Sequence, residues 1–356
     1  MKKNEEFMGI ALALAERGRS TVSPNPMVGC VIVKNRGIIG KGYHRKAGSP
    51  HAEVIALRQA GVKAIGATMY VTLEPCSHFG RTPPCTNAII KAGIKKVVIA
   101  QKDLNPKTRG TKELRNSGIL VKTGVIEKEA KRLNEVFSKF IVSKIPFVIL
   151  KIATTLDGNI ATSTGSSQYI TSKESRTRVH KWRTEADAVM VGKNTVLMDN
   201  PRLTPRHVKG KDPWKVVVDS KALISPQCNL MKHPHKLIIA TTNRADRKTT
   251  AMLEKKGVTI IMCPSKEGRV DLKALMKELG KRSITSVMME SGQSLATAAL
   301  SQKIVDKVRI FIAPKIIGQG IPVLGSLGIT NIAKALHLKG IRIETIKNDV
   351  LIEGYI

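Results

Sequence analysis

Three residues within one 35-residue window, His51, Cys76 and Cys85, constrain this chain more than anything else in it. His51-Ala-Glu53 pairs an imidazole with a carboxylate, and each cysteine follows a proline, as Pro75-Cys76 and Pro84-Cys85. One imidazole and two thiolates are good zinc ligands that leave a site of little net charge. Three protein ligands keep a fourth position open for water, whose pKa falls from about 16 to roughly 7 on the metal. Glu53 is not needed as a ligand. With Pro50 as the first residue of a helix, His51 and Glu53 share its first turn, where Glu53 can take a proton from that water and pass it to a leaving group. A closed structural zinc site, with His78 as fourth ligand, uses the same residues; so does a set of unrelated thiols. The coincidence of two Pro-Cys pairs with His-x-Glu favours the open, catalytic site.

Zinc nucleobase deaminases hold their metal with one His and two Cys and move protons with a nearby Glu, in the pattern His-x-Glu…Pro-Cys-x-x-Cys. Here eight residues, Ser77 to Pro84, separate the cysteines. The match is therefore to the chemistry and not to the short spacing.

The 356 residues suggest two domains, each able to bury a core. No apolar window reaches the length of a membrane span. The start, Met1-Lys-Lys and then Gly9 to Ala15, imitates a signal peptide, but Glu5 and Glu6 interrupt it and no small-residue cleavage site follows. An amphipathic first helix is expected instead. Beyond the two cysteines assigned to zinc, Cys30, Cys228 and Cys263 form an odd, sparse set suited to a reducing cytoplasm. The net charge of +33 invites a nucleic-acid reading. It is spread evenly, however, with 26 Lys/Arg against 10 Asp/Glu in residues 1–145 and 34 against 17 in the remainder. Aromatics make up only 3%, leaving few platforms for stacking bases. Phosphorylated small molecules are the expected partners, and nucleic acid is not.

Apolar strands alternate with helices along the chain. Strands are expected at 28–33, 38–43, 68–73, 96–100 and 121–125, and helices at 5–17, 50–60, 86–92 and 110–117. This pattern predicts a three-layer α/β sandwich, with the cysteine sites where strands meet helices. A polar helical connector, 127–141, precedes Pro146. A second α/β domain follows, with strands at 147–153, 188–191, 215–219, 237–240, 258–262, 286–289 and 308–313, and helices at 172–183, 268–279 and 294–302.

Together, Ser23-Pro-Asn-Pro-Met-Val-Gly29, Gly40-Lys-Gly-Tyr-His44, Gly48-Ser-Pro-His-Ala-Glu53, Thr72-Leu-Glu-Pro-Cys-Ser-His78 and Gly80-Arg-Thr-Pro-Pro-Cys85 closely resemble the bifunctional riboflavin-biosynthesis deaminase-reductase family. The likeness continues through Leu156-Asp-Gly158, Ile170-Thr-Ser172, Gly192 to Leu197, Val218-Asp-Ser220 and Glu290-Ser-Gly292, and so covers essentially the whole chain. It implies a cytidine-deaminase-like domain over 1–145 and a dihydrofolate-reductase-like α/β domain over 146–356. It makes His51, Cys76 and Cys85 the ligands of one zinc ion and Glu53 the proton shuttle. Asn25, His44, Arg81, Asp103 and Asn105 match the family's deaminase substrate pocket. In the second domain the resemblance implies NADPH at Ala153, Tyr169, Thr195, Asp199, Ser220 and the run Gly292, Gln293, Ser294, Leu295, Ala296, Thr297 and Ala298. It implies the reductase substrate at Ser167, Arg183, Leu203, Arg206 and Glu290.

The implied activity is hydrolytic deamination of a phosphoribosylamino-pyrimidinone, followed by NADPH-dependent reduction of its ribosyl group, in a cytoplasmic homo-oligomer. Two features of the residues agree: Gly292-Gln-Ser294 sits between a strand and a helix, where free N–H groups can hold phosphate, and Arg183 and Arg206 suit a multi-donor grip on a phosphate ester. Thr155, Tyr169, Asn200 and Lys215 depart from the residues usual in the family. They keep open an active deaminase joined to an impaired reductase or structural module. A nucleic-acid-editing deaminase would give the long second domain no role, and a non-enzymatic zinc protein would give Glu53 none.

Overall fold

The computed structural model describes residues 2–80 and 83–356. The chain divides into two compact units, Met1–Lys144 and Ile145–Ile356.

The first unit is built on five strands, β1 (Gly29–Lys34), β2 (Gly37–Tyr43), β3 (Thr68–Leu73), β4 (Lys96–Gln101) and β5 (Leu120–Thr123), in the order β2-β1-β3-β4-β5. β1 runs antiparallel to β2 and β3, whereas β3, β4 and β5 are parallel. Six helices accompany them: α1 (Lys2–Glu16), α2 (Ala52–Ala60), α3 (Cys85–Lys91), α4 (Gly110–Asn116), α5 (Glu127–Leu133) and α6 (Glu135–Ser143). Alternate strand residues feed opposite faces. Cys30, Ile32, Met69, Val71, Val97 and Ile99 pack with Ala52, Ala56, Ile89 and Leu114 of α2, α3 and α4. Val31, Val33, Tyr70, Val98 and Ala100 pack with Phe7, Met8 and Ala11 of α1 and Ala130 of α5. These faces make the three-layer sandwich that strand–helix alternation predicts.

Two sequence expectations need correction. α2 starts at Ala52, not at Pro50, and His51 is its N-cap in extended conformation. The connector is two helices that break at Asn134, which is almost fully buried. Its side chain accepts a hydrogen bond from Met27 N–H (2.8 Å) and donates one to Met27 C=O (3.0 Å). The loop before β1 is thereby held from 107 residues away.

The second unit contains β6 (Phe147–Thr155), β7 (Asn159–Thr162), β8 (Ala188–Gly192), β9 (Trp214–Val218), β10 (Leu237–Thr241), β11 (Thr259–Met262), β12 (Ser265–Lys266), β13 (Arg269–Val270), β14 (Ser286–Met289), β15 (Lys307–Ala313), β16 (Gly320–Pro322), β17 (Lys339–Ile346) and β18 (Asp349–Tyr355). Nine of them form one sheet in the order β11-β10-β9-β8-β14-β6-β15-β18-β17. The run from β11 to β15 is parallel, and β18 and β17 add antiparallel at one edge. Parallel strands covered on both faces read as unbroken apolar runs, as in the fully buried Leu237–Thr241. One face carries α7 (Lys173–Glu185), α8 (Lys193–Asp199) and α9 (Arg247–Lys255), with Val179, Trp182, Val196 and Leu253 in its core. The other carries α10 (Leu272–Lys281) and α11 (Gln293–Ser301), with Leu275, Leu279, Ala296 and Ala299. The helices that follow the adjacent strands β8 and β14 thus lie on opposite faces. That is a topological switch point, where ligands bind beyond the carboxyl ends of the strands.

Gly42 sets the height of α2 above β2. A Cβ there would lie 2.2 Å from Ala52 O and 2.8 Å from Ala56 N, both backbone atoms. Gly42→Ala is expected to lower stability by about 3 kcal/mol, read as a fall in the urea midpoint. Gly37→Ala, whose Cβ would come no closer than 3.6 Å to Lys34 O, is expected to leave the midpoint within experimental scatter.

Candidate active sites

In the first unit three elements bring one ligand each to a common point. His51 caps α2, Cys76 lies just past the end of β3, and Cys85 opens α3. The His51 Nδ1 atom sits 3.1 Å from Cys85 Sγ and 3.5 Å from Cys76 Sγ. All three ligand atoms lie within 4.8 Å of one another. Ligands placed about 2.0–2.3 Å from a tetrahedral zinc stand roughly 3.5–4 Å apart, so the set fits this ion. An N-cap is normally a Ser, Thr, Asp or Asn whose side chain binds the helix start. His51 makes no such bond, because its ring is turned to the sulfurs. Cys85 N–H donates to Cys76 Sγ (3.3 Å). The Cys76 thiol falls to about 4, first through its hydrogen bond from Cys85, which offsets the cost of burial, and then through His51. The Cys85 thiol is raised in turn, because it shares its proton with Cys76.

Glu53 is 3% exposed, and its Oε2 atom is buried without a hydrogen-bond partner. Burial, and then the charge of Cys76, push its carboxyl above the ordinary range. A carboxyl whose protonated form is favoured in this way is suited to carrying a proton. His78 does not join the ligand cluster among the described residues. Three ligands therefore converge and the closed four-ligand alternative does not form.

The remaining predicted deaminase residues surround this point unevenly. His44 is buried, and its ring stands edge-on to His51 with centroids 5.3 Å apart. The Asn25 amide donates to His44 Nε2 (3.1 Å), which leaves Nδ1–H facing Pro50 O at 3.4 Å. Burial lowers the His44 pKa, so the ring is neutral. Asp103 Oδ1 accepts from Asn105 N–H (2.9 Å) and Oδ2 from Thr108 Oγ1 (2.9 Å). Both carboxylate oxygens of Asp103 thus shape the loop that carries Asn105. Arg81 lies outside the described residues.

Glu74 is a residue that sequence reasoning left unassigned. It is buried, and its two oxygens accept from Asp103 N–H (3.2 Å) and Thr111 N–H (2.7 Å). It ties the exit of β3 to the loop before α4. Gly110 allows the approach, since a Cβ there would lie 2.0 Å from Pro75 O. Its place directly before Pro75-Cys76 was the available signal.

In the second unit several predicted residues follow the carboxyl ends of strands, with Ser220 after β9, Thr195 and Asp199 in α8 after β8, and Glu290 and the run from Gly292 after β14, though not all with free side chains. Gly192 and Gly292 cap α8 and α11 without any side-chain cap, and space around Gly292 is open. Ser291 Oγ is buried and unpartnered. An uncapped glycine start beside an orphaned hydroxyl suits the phosphates of a dinucleotide. Within the run that follows, Gln293 donates to Leu324 O (3.4 Å), Ser294 Oγ accepts from Arg269 (3.2 Å), and Thr297 Oγ1 donates to Gln293 O (2.7 Å). Ala296 is core, with Leu295 and Ala298 packed on it. Ala153 packs on the opposite core. Thr195 is half-buried in α8, Asp199 is exposed at its end, and Ser220 Oγ accepts from Val270 N–H (3.2 Å).

Arg183 and Glu290 form a bidentate pair, Nε–Oε1 2.7 Å and Nη2–Oε2 2.9 Å, and Arg183 Nη1 also donates to Thr204 O (3.1 Å). The fork that seemed suited to phosphate is thus engaged by a carboxylate. Burial alone would raise Glu290, but the adjacent guanidinium outweighs it and holds the carboxyl below the usual range. Lys151, to which no role was assigned from the sequence, lies near this pair. Burial lowers its pKa, against the pull of Glu290. Leu203 has a left-handed φ of 54° and a side chain buried in the core, so any contact it makes with a ligand is through its backbone. Arg206 is exposed and Ser167 half-buried.

Residues 146–352 match the RibD C-terminal domain, and residues 1–101 match the cytidine and deoxycytidylate deaminase zinc-binding region. The chain is 45% identical over 352 residues to the riboflavin biosynthesis protein RibD of Aquifex aeolicus, covering 98% of this chain and 97% of that one. This chain belongs to the RibD family. It is 40% identical to the Escherichia coli RibD over 98% of both chains. Its structure resembles that of Acinetobacter baumannii RibD with a TM-score of 0.90, at 36% identity over 99% of both chains. A Thermotoga maritima structure described as a diaminohydroxyphosphoribosylaminopyrimidine deaminase/5-amino-6-(5-phosphoribosylamino)uracil reductase matches with a TM-score of 0.88, at 38% identity over 99% of both chains. As a RibD-family member the chain is a bifunctional deaminase and reductase of riboflavin biosynthesis, with a zinc-binding deaminase half and a reductase half that uses NADPH.

The departures from family usage are each accommodated. Thr155 Oγ1 accepts from Asn159 N–H (3.0 Å) and closes the turn after β6. Lys215 is fully buried and ion-paired with Asp212. Tyr169 is exposed beneath the Arg176 guanidinium, 3.9 Å from the ring centre. Asn200 takes a left-handed C-cap and accepts from Asn229 N–H (2.7 Å). Among the described residues no helix is long and apolar enough to cross a membrane.

Glu290→Gln removes the charge that Arg183 needs and is expected to cost about 3 kcal/mol at neutral pH. A carboxyl depressed by folding stabilises fully above its ordinary value of 4.5 and loses that contribution as pH falls through its lower folded value. The gap between wild type and Glu290→Gln in urea unfolding is therefore expected to stay constant from pH 7 to 5 and to close in more acidic solution.

Proposed function

We propose that the first unit hydrolyses the amino group of a 2,5-diamino-6-(5-phosphoribosylamino)pyrimidin-4-one and that the second then reduces the ribosyl group to its ribityl form. The observation that carries this reading is the three-ligand set His51, Cys76 and Cys85 beside a buried Glu53 oxygen with no partner. Zinc held there would supply Lewis-acid activation of water at neutral pH. Glu53 takes the proton of the attacking water and delivers it to the departing ammonia. Asn25 and the neutral His44 bind the pyrimidine, and Asp103, with the loop it folds, places Asn105 at the same pocket. The family resemblance adds Arg81 to the residues that bind this substrate.

NADPH, bound across the switch point, supplies the hydride of the second step. The starts of α8 and α11, with Ala153, Thr195, Asp199 and Ser220, form its bed, and Tyr169 borders it. Ser167, Leu203 and the exposed Arg206 meet the second substrate. Arg183 and Glu290, held as a pair, stand at the same substrate, with Lys151 near them. Five free thiols fit a reducing cytoplasm, where we place the protein as a homo-oligomer.

The deciding experiment is mass spectrometry of the products formed from the diaminopyrimidine ribosyl phosphate by zinc-loaded protein with NADPH. A product in which one amino group has been replaced by an oxygen from water and two hydrogens have been gained is expected; a product that is only deaminated removes the second step. Glu53→Gln is expected to lower ammonia release on the order of 1,000-fold while bound zinc, measured by elemental analysis, stays stoichiometric. Arg206→Ala is expected to raise the reductase KM on the order of tenfold, as loss of one charged hydrogen bond to a phosphate does, with kcat little changed.

A further inference from the structure

A polar hollow lies in the first unit, outside the metal-ligand set. It has a volume of about 320 Å³ and is lined by Glu74, Lys102, Arg109, Thr111, Lys112, Arg115 and Asn116. With so many cations in the chain, basic residues border many hollows by chance. Two observations set this one apart. Thr111 is about nine-tenths buried, yet its Oγ1 atom has no hydrogen-bond partner. A buried hydroxyl left unmade costs stability, so a missing partner is expected in the space it borders. The single carboxylate of the lining, Glu74, is also already engaged, both oxygens accepting backbone N–H groups from Asp103 and Thr111. Arg115 spends one N–H on Val121 O at 3.4 Å. Among the described residues the side chains of Lys102, Arg109 and Lys112 make no hydrogen bond or ion pair.

We infer that this hollow is a binding site for a phosphate group, with Thr111 donating a hydrogen bond to it and Lys102, Arg109, Lys112 and Arg115 balancing its charge. The site abuts the metal-ligand loop: Arg109 N–H donates to Ser77 Oγ (2.7 Å), and Gly110 packs on Pro75 O. Occupancy therefore stiffens the segment that carries Cys76. The inference does not depend on the reaction assigned to the first unit.

The test is hydrogen–deuterium exchange on the full zinc-loaded protein with inorganic phosphate, and separately with ribose 5-phosphate. Both are expected to slow exchange in residues 102–116. A lower half-saturation with ribose 5-phosphate identifies a phosphate ester as the ligand, and equal values identify free phosphate. In Arg109→Ala/Lys112→Ala the half-saturation is expected to rise at least tenfold in this segment, and in Arg109→Lys/Lys112→Arg to return close to the wild-type value. Thr111→Val keeps the shape and removes the hydroxyl. It is expected to leave the ligand-free melting temperature unchanged or raised, while weakening the response to phosphate severalfold. Absence of protection in wild type, protection undiminished in the double alanine variant, or a Thr111→Val protein that melts lower without ligand would each overturn the site.

Discussion

Everything in the first unit depends on bringing two sulfurs and one imidazole nitrogen into contact from three separate elements. Like groups that all seek the same proton or metal do not gather unaided. The backbone does the work: α2 rests on Gly42, the β3 exit is held by Glu74, and α3 starts where Cys85 N–H meets Cys76 Sγ. The helix start pays with an unmade cap at His51. Local rules broken at one spot, in a sheet that otherwise obeys them, mark where function overrides stability.

The second unit reaches its site by topology. Its parallel strands place their carboxyl ends in one row, and the change of helix side between β8 and β14 opens the crevice. Polar groups there are matched in pairs. Arg183 and Glu290 hold each other, which fixes both, and Lys151 lies near them with its pKa lowered by burial. A site built so does not expose an arginine that solvent could reorient.

The sequence was most legible where a residue type has few uses. His51, Glu53, Cys76 and Cys85 were readable because an imidazole, a carboxylate and two Pro-Cys pairs in one window have few joint purposes. The buried parallel strands were readable because both faces are apolar. Elements with weak patterns escaped: α9 buries only Leu253, α8 is one short apolar-polar mixture, and β17 is exposed along nearly its whole length, so burial left no signature in them. Arg183 shows what a sequence leaves open. A guanidinium suits a phosphate and a carboxylate equally, and only the fold shows that Glu290, 107 positions away, pairs with it.

The grip of Asn134 on Met27 bears on what counts as a whole deaminase. The metal ligands and Glu53 all fall within the stretch matched to the zinc-binding region, residues 1–101. One support of the pocket wall does not. Asn25 stands two residues before Met27, in a loop whose peptide groups are secured by the Asn134 side chain at the break between α5 and α6. A stretch that stops short of Asn134 lacks this anchor, so the segment between β5 and the second unit does more than join two domains: it holds the loop that carries Asn25.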